Sequence, residues 1–94
     1  MNALPNRDAI LVVLLAIDRP ATREDIVVAA WERDPMRFGL RRGYETRYPN
    51  ADAVDVRMYG ERGLVSRGYV RREGKCFVLT AAGRMRAGRL RGRT

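Results

Sequence analysis

The side chains able to do chemistry in this sequence are almost all guanidinium groups. Eighteen arginines and a lone lysine, Lys75, stand against six aspartates and five glutamates, a formal net charge of +8 over 94 residues. The distribution says more than the total. Residues 1–50 carry eight basic and seven acidic groups, or +1, and residues 51–94 carry eleven and four, or +7. A positive field gathered into one half of a chain points to a polyanionic partner. The excess of Arg over Lys proves nothing further, because the coding bias of a source would produce it. The field exists either way.

Other chemistries fall away. The chain has no histidine, so imidazole acid–base work, His-ligated metal and a Ser-His-Asp triad are excluded. Cys76 is the one cysteine, which permits neither an internal disulfide nor a thiolate metal cage. In Lys75-Cys76-Phe77-Val78-Leu79 it reads as a plain strand residue, since a nucleophilic thiol needs a partner base. A reducing, cytoplasmic setting is expected. The longest apolar run, Ala9 to Ile17, is nine residues and too short to span a bilayer. It follows Asp8, and no Ala-x-Ala site comes after it, so it is not read as a secretory signal. No cofactor, metal site or enzymatic activity is expected, because no metal set, phosphate-binding loop or nucleophile–base pair is present.

Positioning the cations requires elements, and 94 residues allow one domain, 1–94, near the lower edge of the usual size range. A chain this short buries only about 60–65% of its unfolded surface. A first helix is expected over Asn6 to Asp18, capped by Asn6, with Asp8 in its first turn. Ile10, Val13, Leu14 and Ile17 share one face, and Leu11, Val12 and Leu15 make the rest apolar enough for burial on more than one side. A strand is the competing reading of so β-branched a run. Thr22 and Asp25 form an acidic capping box for a second helix, in which Ile26, Val27, Ala30 and Trp31 make an amphipathic stripe. Pro35 stops it.

Residues 35–50 lose periodicity. Gly39, Gly43 and two prolines interrupt them, yet Phe38, Tyr44 and Tyr48 argue against disorder, so a packed connector with a short helical turn is expected. A third helix begins at Asn50 or Asp52 with Val54 and Met58 facing the core, and either ends at Tyr59 or resumes through 64–67. Tyr69 to Arg72 and Cys76 to Thr80 then flank a Glu73-Gly74-Lys75 turn as a hairpin. Thr80 caps a last helix to about Leu90. Arg84, Arg86, Arg89, Arg91 and Arg93 give the segment 84–94 five arginines and no acid, and its end is expected to fray. Two short strands cannot form a stable sheet alone, so they must pack on the helices of an α+β, mostly α, domain.

The run from Gly63 to Arg84, G-L-V-S-R-G-Y-V-R-R-E-G-K-C-F-V-L-T-A-A-G-R, resembles the end of a winged helix-turn-helix domain. Leu79-Thr80-Ala81-Ala82-Gly83 is similar to the segment that opens such a domain's final helix, and Pro20 to Ile26 resembles its turn into the second helix. The resemblance covers roughly residues 6–90. It implies a three-helix core with a β-hairpin wing and a C-terminal helix. It departs from the family at the connector, where only a few residues usually join the second and third helices.

What the resemblance implies is double-stranded DNA as partner, with the third helix in the major groove and the wing on the backbone, as in a transcriptional regulator. On that reading Arg57 is placed for a guanine edge, Asn50 for adenine or phosphate, and Tyr59 and Arg67 lie nearby. Arg71, Arg72 and Lys75 serve phosphates. Ala53, Arg57 and Tyr59 are the expected outward positions. The plain alternative pairs Arg57 with Glu61 or Asp55 on a solvated face. Arg71 and Arg72 alternate across a strand, so only one faces a given surface. Arg41, Arg42 and Arg47, interleaved with aromatics, and Arg84 are secondary nucleic-acid candidates, with the connector either a stacking platform for single strands or an anchored loop. A homodimer would extend the site read. The competing function is a protein-interaction or RNA-contacting subunit of a larger assembly, favoured by the long connector and by Asp52 and Asp55.

Overall fold

The computed structural model describes residues 4–92. The first helix, α1 (Asn6–Ile17), is a helix and not a strand, and it is the centre of the molecule. Six consecutive residues, Ile10 to Leu15, are buried, which is possible only when neighbours cover the helix on several sides. Asn6 is not its cap. Pro5 occupies the N-cap position without any side-chain hydrogen bond, and its carbonyl accepts from Ala9 N–H at 2.9 Å. Proline's fixed φ and missing donor suit a helix start, so Asn6 becomes the first helical residue. Asp18 ends the helix in the left-handed region, φ 51°.

A two-residue strand, β1 (Ala21–Thr22), follows; nothing in the sequence pattern announced it. Helix α2 (Arg23–Arg33) begins with the expected capping box: the Thr22 hydroxyl accepts from Asp25 N–H at 3.1 Å, and Asp25 accepts from Thr22 N–H at 3.0 Å. After Asp34 a single turn, α3 (Pro35–Phe38), opens the connector and buries Phe38. The connector then closes on itself through a Gly39–Pro49 bridge.

Helix α4 (Ala51–Met58) follows, then a coiled segment, and then the hairpin of β2 (Val70–Glu73) and β3 (Cys76–Leu79). Gly74 opens the two-residue turn at φ 61°, a value that suits glycine in a tight hairpin. The strand order is β1-β3-β2, all antiparallel, with Ala21 opposite Phe77 and Arg72 opposite Phe77 on its other side. The hairpin is thus widened to three strands by a residue pair more than 50 positions upstream.

Helix α5 (Ala81–Arg91) packs along α1. Thr80 caps it, accepting from Gly83 N–H at 3.1 Å while donating to the Gly68 carbonyl at 2.6 Å. Gly83 has a second reason to be glycine: a Cβ there would lie 1.9 Å from the Tyr69 carbonyl oxygen. The basic segment from Arg84 thus lies in the expected last helix, with Ala87 and Leu90 in the core. Arg93 and the expected frayed end lie outside the described residues. The result is a small α+β domain, mostly helical, around one apolar core. No helix among the described residues is long and apolar enough to cross a membrane.

Candidate nucleic-acid interface

Local sequence sets the phase of α4. Asn50 Oδ1 accepts from Asp52 N–H at 3.1 Å, so the helix starts at Ala51, and Val54 and Met58 fall into the core. It ends at Met58, since Tyr59 is extended (φ −103°, ψ 177°). With that phase the outward residues are Asp52, Val56 and Tyr59, not the expected Ala53, which packs against the core. Val56 is 62% exposed, a large apolar side chain on the outer face. Asn50 keeps its oxygen on the helix cap, which leaves its amide nitrogen for any base or phosphate.

Asp55 does not stand as a free repulsive charge. Arg23 of α2 holds it with two hydrogen bonds, Nε–Oδ1 at 2.8 Å and Nη2–Oδ2 at 2.6 Å. This contact, together with Glu24, keeps the Arg23 guanidinium protonated even more firmly than usual. Arg57 pairs with neither Asp55 nor Glu61. It is half-buried along an open groove of about 890 Å³ between the start of α1 and the segment after α4.

That groove gathers cations the sequence reading had not joined. Arg7 and Arg62 line it with Arg57. Arg7 Nη1 donates to the Arg62 carbonyl at 2.6 Å, and Arg67 Nε donates to the same oxygen at 3.1 Å, so one carbonyl draws two guanidiniums to the rim. Glu61 also lines the groove, but among the described residues no ion pair ties it to any of these arginines. Arg62 sits in the Gly60-Glu61-Arg62-Gly63 turn, where glycines next to a cation are a readable signal. Arg7 lies 55 residues from its partner, and no local pattern reveals it.

The hairpin meets the residue that ends α4. Tyr59 lays its ring edge-on against Phe77, 5.9 Å between centroids. It is thus an anchor between α4 and the sheet more than a free contact. Arg72 lies over the other part of Phe77, 5.8 Å from the ring centroid, and its Nε donates to the Gly74 carbonyl at 3.1 Å. Arg71, on the opposite strand face, pairs with Glu73 through Nε at 3.1 Å. Lys75 stands exposed at the turn. Of the three expected phosphate contacts, only Lys75 is held by nothing among the described residues.

The remaining candidates divide. Arg84 is taken by Asp18 at 2.9 Å, and Arg86 by Asp8 at 3.2 Å and the Tyr69 ring at 5.5 Å. These cations bolt α5 to α1. Arg41, Arg42 and Arg47 are exposed in the connector without ion pairs among the described residues. Its aromatics behave differently from one another: Phe38 is buried, whereas Tyr44 and Tyr48 are half-exposed and face each other 6.2 Å apart. Comparison with protein-family models, curated proteins and solved structures finds no match to this chain.

Proposed function

We propose that this chain is a winged helix-turn-helix domain that binds double-stranded DNA and serves in transcriptional control, with β2 and β3 as the wing. The observation that carries the reading is the groove beside α4, where Arg7, Arg57 and Arg62 converge without carboxylate partners among the described residues. The element order supports it, with a strand before α2, a helix packed across α1 and α2, and a three-stranded sheet ending in a basic hairpin. So does the neutralised Asp55, which removes one charge that would repel phosphate.

The affinity is mainly electrostatic, since α4 itself carries more acid than base. Arg57 reaches for a base edge while Arg7, Arg62 and Lys75 hold the backbone. Arg67 supports Arg62, and Asn50 meets the phosphate nearest the start of α4. Pairing of two copies would extend the few base pairs that one module reads. The outward Val56, flanked by Asp52, favours the second reading, a protein partner docked on α4.

Fluorescence anisotropy with random duplex DNA between about 50 and 300 mM salt separates the two. Micromolar binding with a steep negative salt slope supports the DNA reading. No binding at the lowest salt sinks it and leaves the protein partner.

A further inference from the structure

The connector is built as a rigid display. Its ends meet at the Gly39–Pro49 bridge, and Leu40 N–H donates to the Tyr48 carbonyl at 2.9 Å. Gly39 permits that closure, because a Cβ there would sit 2.3 Å from the Glu45 carbonyl oxygen. Trp31 of α2 clips the loop from beneath, its Nε1 donating to that same carbonyl at 2.7 Å. Glu45, the one carboxylate of residues 35–50, accepts from Gly43 N–H at 2.8 Å within the loop.

What this frame displays is chemically specific. Tyr44 and Tyr48, 50% and 51% exposed, have ring centroids 6.2 Å apart and ring planes tilted by 39°. Three exposed arginines of the same loop, Arg41, Arg42 and Arg47, have no acid partner among the described residues. Aromatic faces beside cations fit a partner that offers flat π systems and negative charge at a short repeat. A second copy of this chain fits badly, because a two-fold contact would set the three guanidiniums against themselves. Duplex DNA fits badly too, since its base faces are already stacked on one another.

We propose that the 39–49 loop binds a single strand of nucleic acid, with unpaired bases stacked on Tyr44 and Tyr48 and phosphates held by Arg41, Arg42 and Arg47. The pre-formed loop lowers the ordering cost of that contact. The site is separate from the α4 groove and does not depend on duplex binding there.

The test uses the full chain and three labelled probes: an oligothymidylate of about ten nucleotides, the matching oligouridylate, and a duplex of equal length. Tyr44→Ala and Tyr48→Ala are each expected to weaken single-strand binding about fivefold or more while duplex affinity stays unchanged. Tyr44→Phe and Tyr48→Phe are expected to bind like the parent, since stacking needs the ring and not the hydroxyl. Trp31 emission, from the only tryptophan, checks that each variant keeps the loop closed. Alanine variants that bind single strands as well as the parent overturn the proposal. So does a phenylalanine variant as weak as its alanine counterpart, or an acidic peptide that displaces the strand and binds the alanine variants undiminished. Because duplex binding is read in the same series, loss of the α4 reading leaves this one standing, and the reverse.

Discussion

Arg23 and Asp55, 32 residues apart in sequence, join α2 to α4 through a two-pronged ion pair that also strips α4 of its central negative charge. One contact therefore sets both the seating of the helix and its electrostatic face. The two partners can be told apart by substitution. Arg23→Ala is expected to lower the melting temperature and to weaken duplex binding, because it bares the Asp55 carboxylate. Asp55→Asn is expected to lower the melting temperature while leaving duplex affinity equal or higher. Circular-dichroism melts and anisotropy on the two variants check the opposite signs; identical effects on binding would mean that α4 does not face DNA.

Arg57→Ala is expected to cost about 1–3 kcal/mol on one preferred duplex and less on others, if its guanidinium reads a base edge. Lys75→Ala should weaken all sequences alike and reduce the salt slope by about one. The paired change of Arg71 and Arg72 to Ala should do the same with a stability loss added, since Arg72 covers Phe77. Salt titrations on two unrelated duplexes distinguish these patterns.

Gly83→Ala is expected to destabilise the fold by about 3 kcal/mol, because the added methyl would meet the Tyr69 carbonyl oxygen at 1.9 Å. Helix propensity alone predicts the reverse, a gain of about 1 kcal/mol for Ala over Gly. Urea unfolding decides between them, and a stabilised variant would refute the close approach.

The α2 cap titrates. The Thr22 N–H, the Thr22 hydroxyl and the Arg19 guanidinium, in that order, hold the Asp25 carboxyl below its ordinary range. A carboxylate depressed in the folded state contributes stability above its unfolded pKa of about 3.9, and loses it as pH falls toward the lowered native value. The parent and Asp25→Asn should therefore differ most near neutrality, with the gap closing below about pH 4. Melts from neutral to acid pH measure this, and a gap that is constant with pH would place the effect elsewhere.

What the sequence made legible was local. The Thr22–Asp25 box, the Thr80 cap, the Gly74 turn, and the burial of Val54 and Met58 all follow from residues within a turn or two of one another. The misses have a common cause in long range. β1 exists only because Ala21 meets Phe77, and Arg7 enters the groove only because α1 starts beside Arg62. The last helix, with Arg84 and Arg86 in it, is legible from Thr80 onward, but not that Asp18 and Asp8 claim those arginines from 66 and 78 positions away. The outward face of α4 differs from the expected one at Ala53: with Val54 and Met58 inward, the step of about 100° per residue puts Val56 opposite the core, while Ala53 packs against it. For the candidate site, residue types were readable and groupings were not. The anchoring of Tyr59 on Phe77 is the clearest case.

The packing of α1 against α5 bears on how the chain is made. The apolar residues 10–15 are completed by Ala87 and Leu90, near the far end of the sequence. At a synthesis rate of about 5–20 residues per second, α1 waits roughly 4–15 s for its cover. During that interval its β-branched, uncharged run is the segment most exposed to aggregation. Truncation before Leu90 would make that exposure permanent, so degradation and not partial function is the expected fate of a shortened chain.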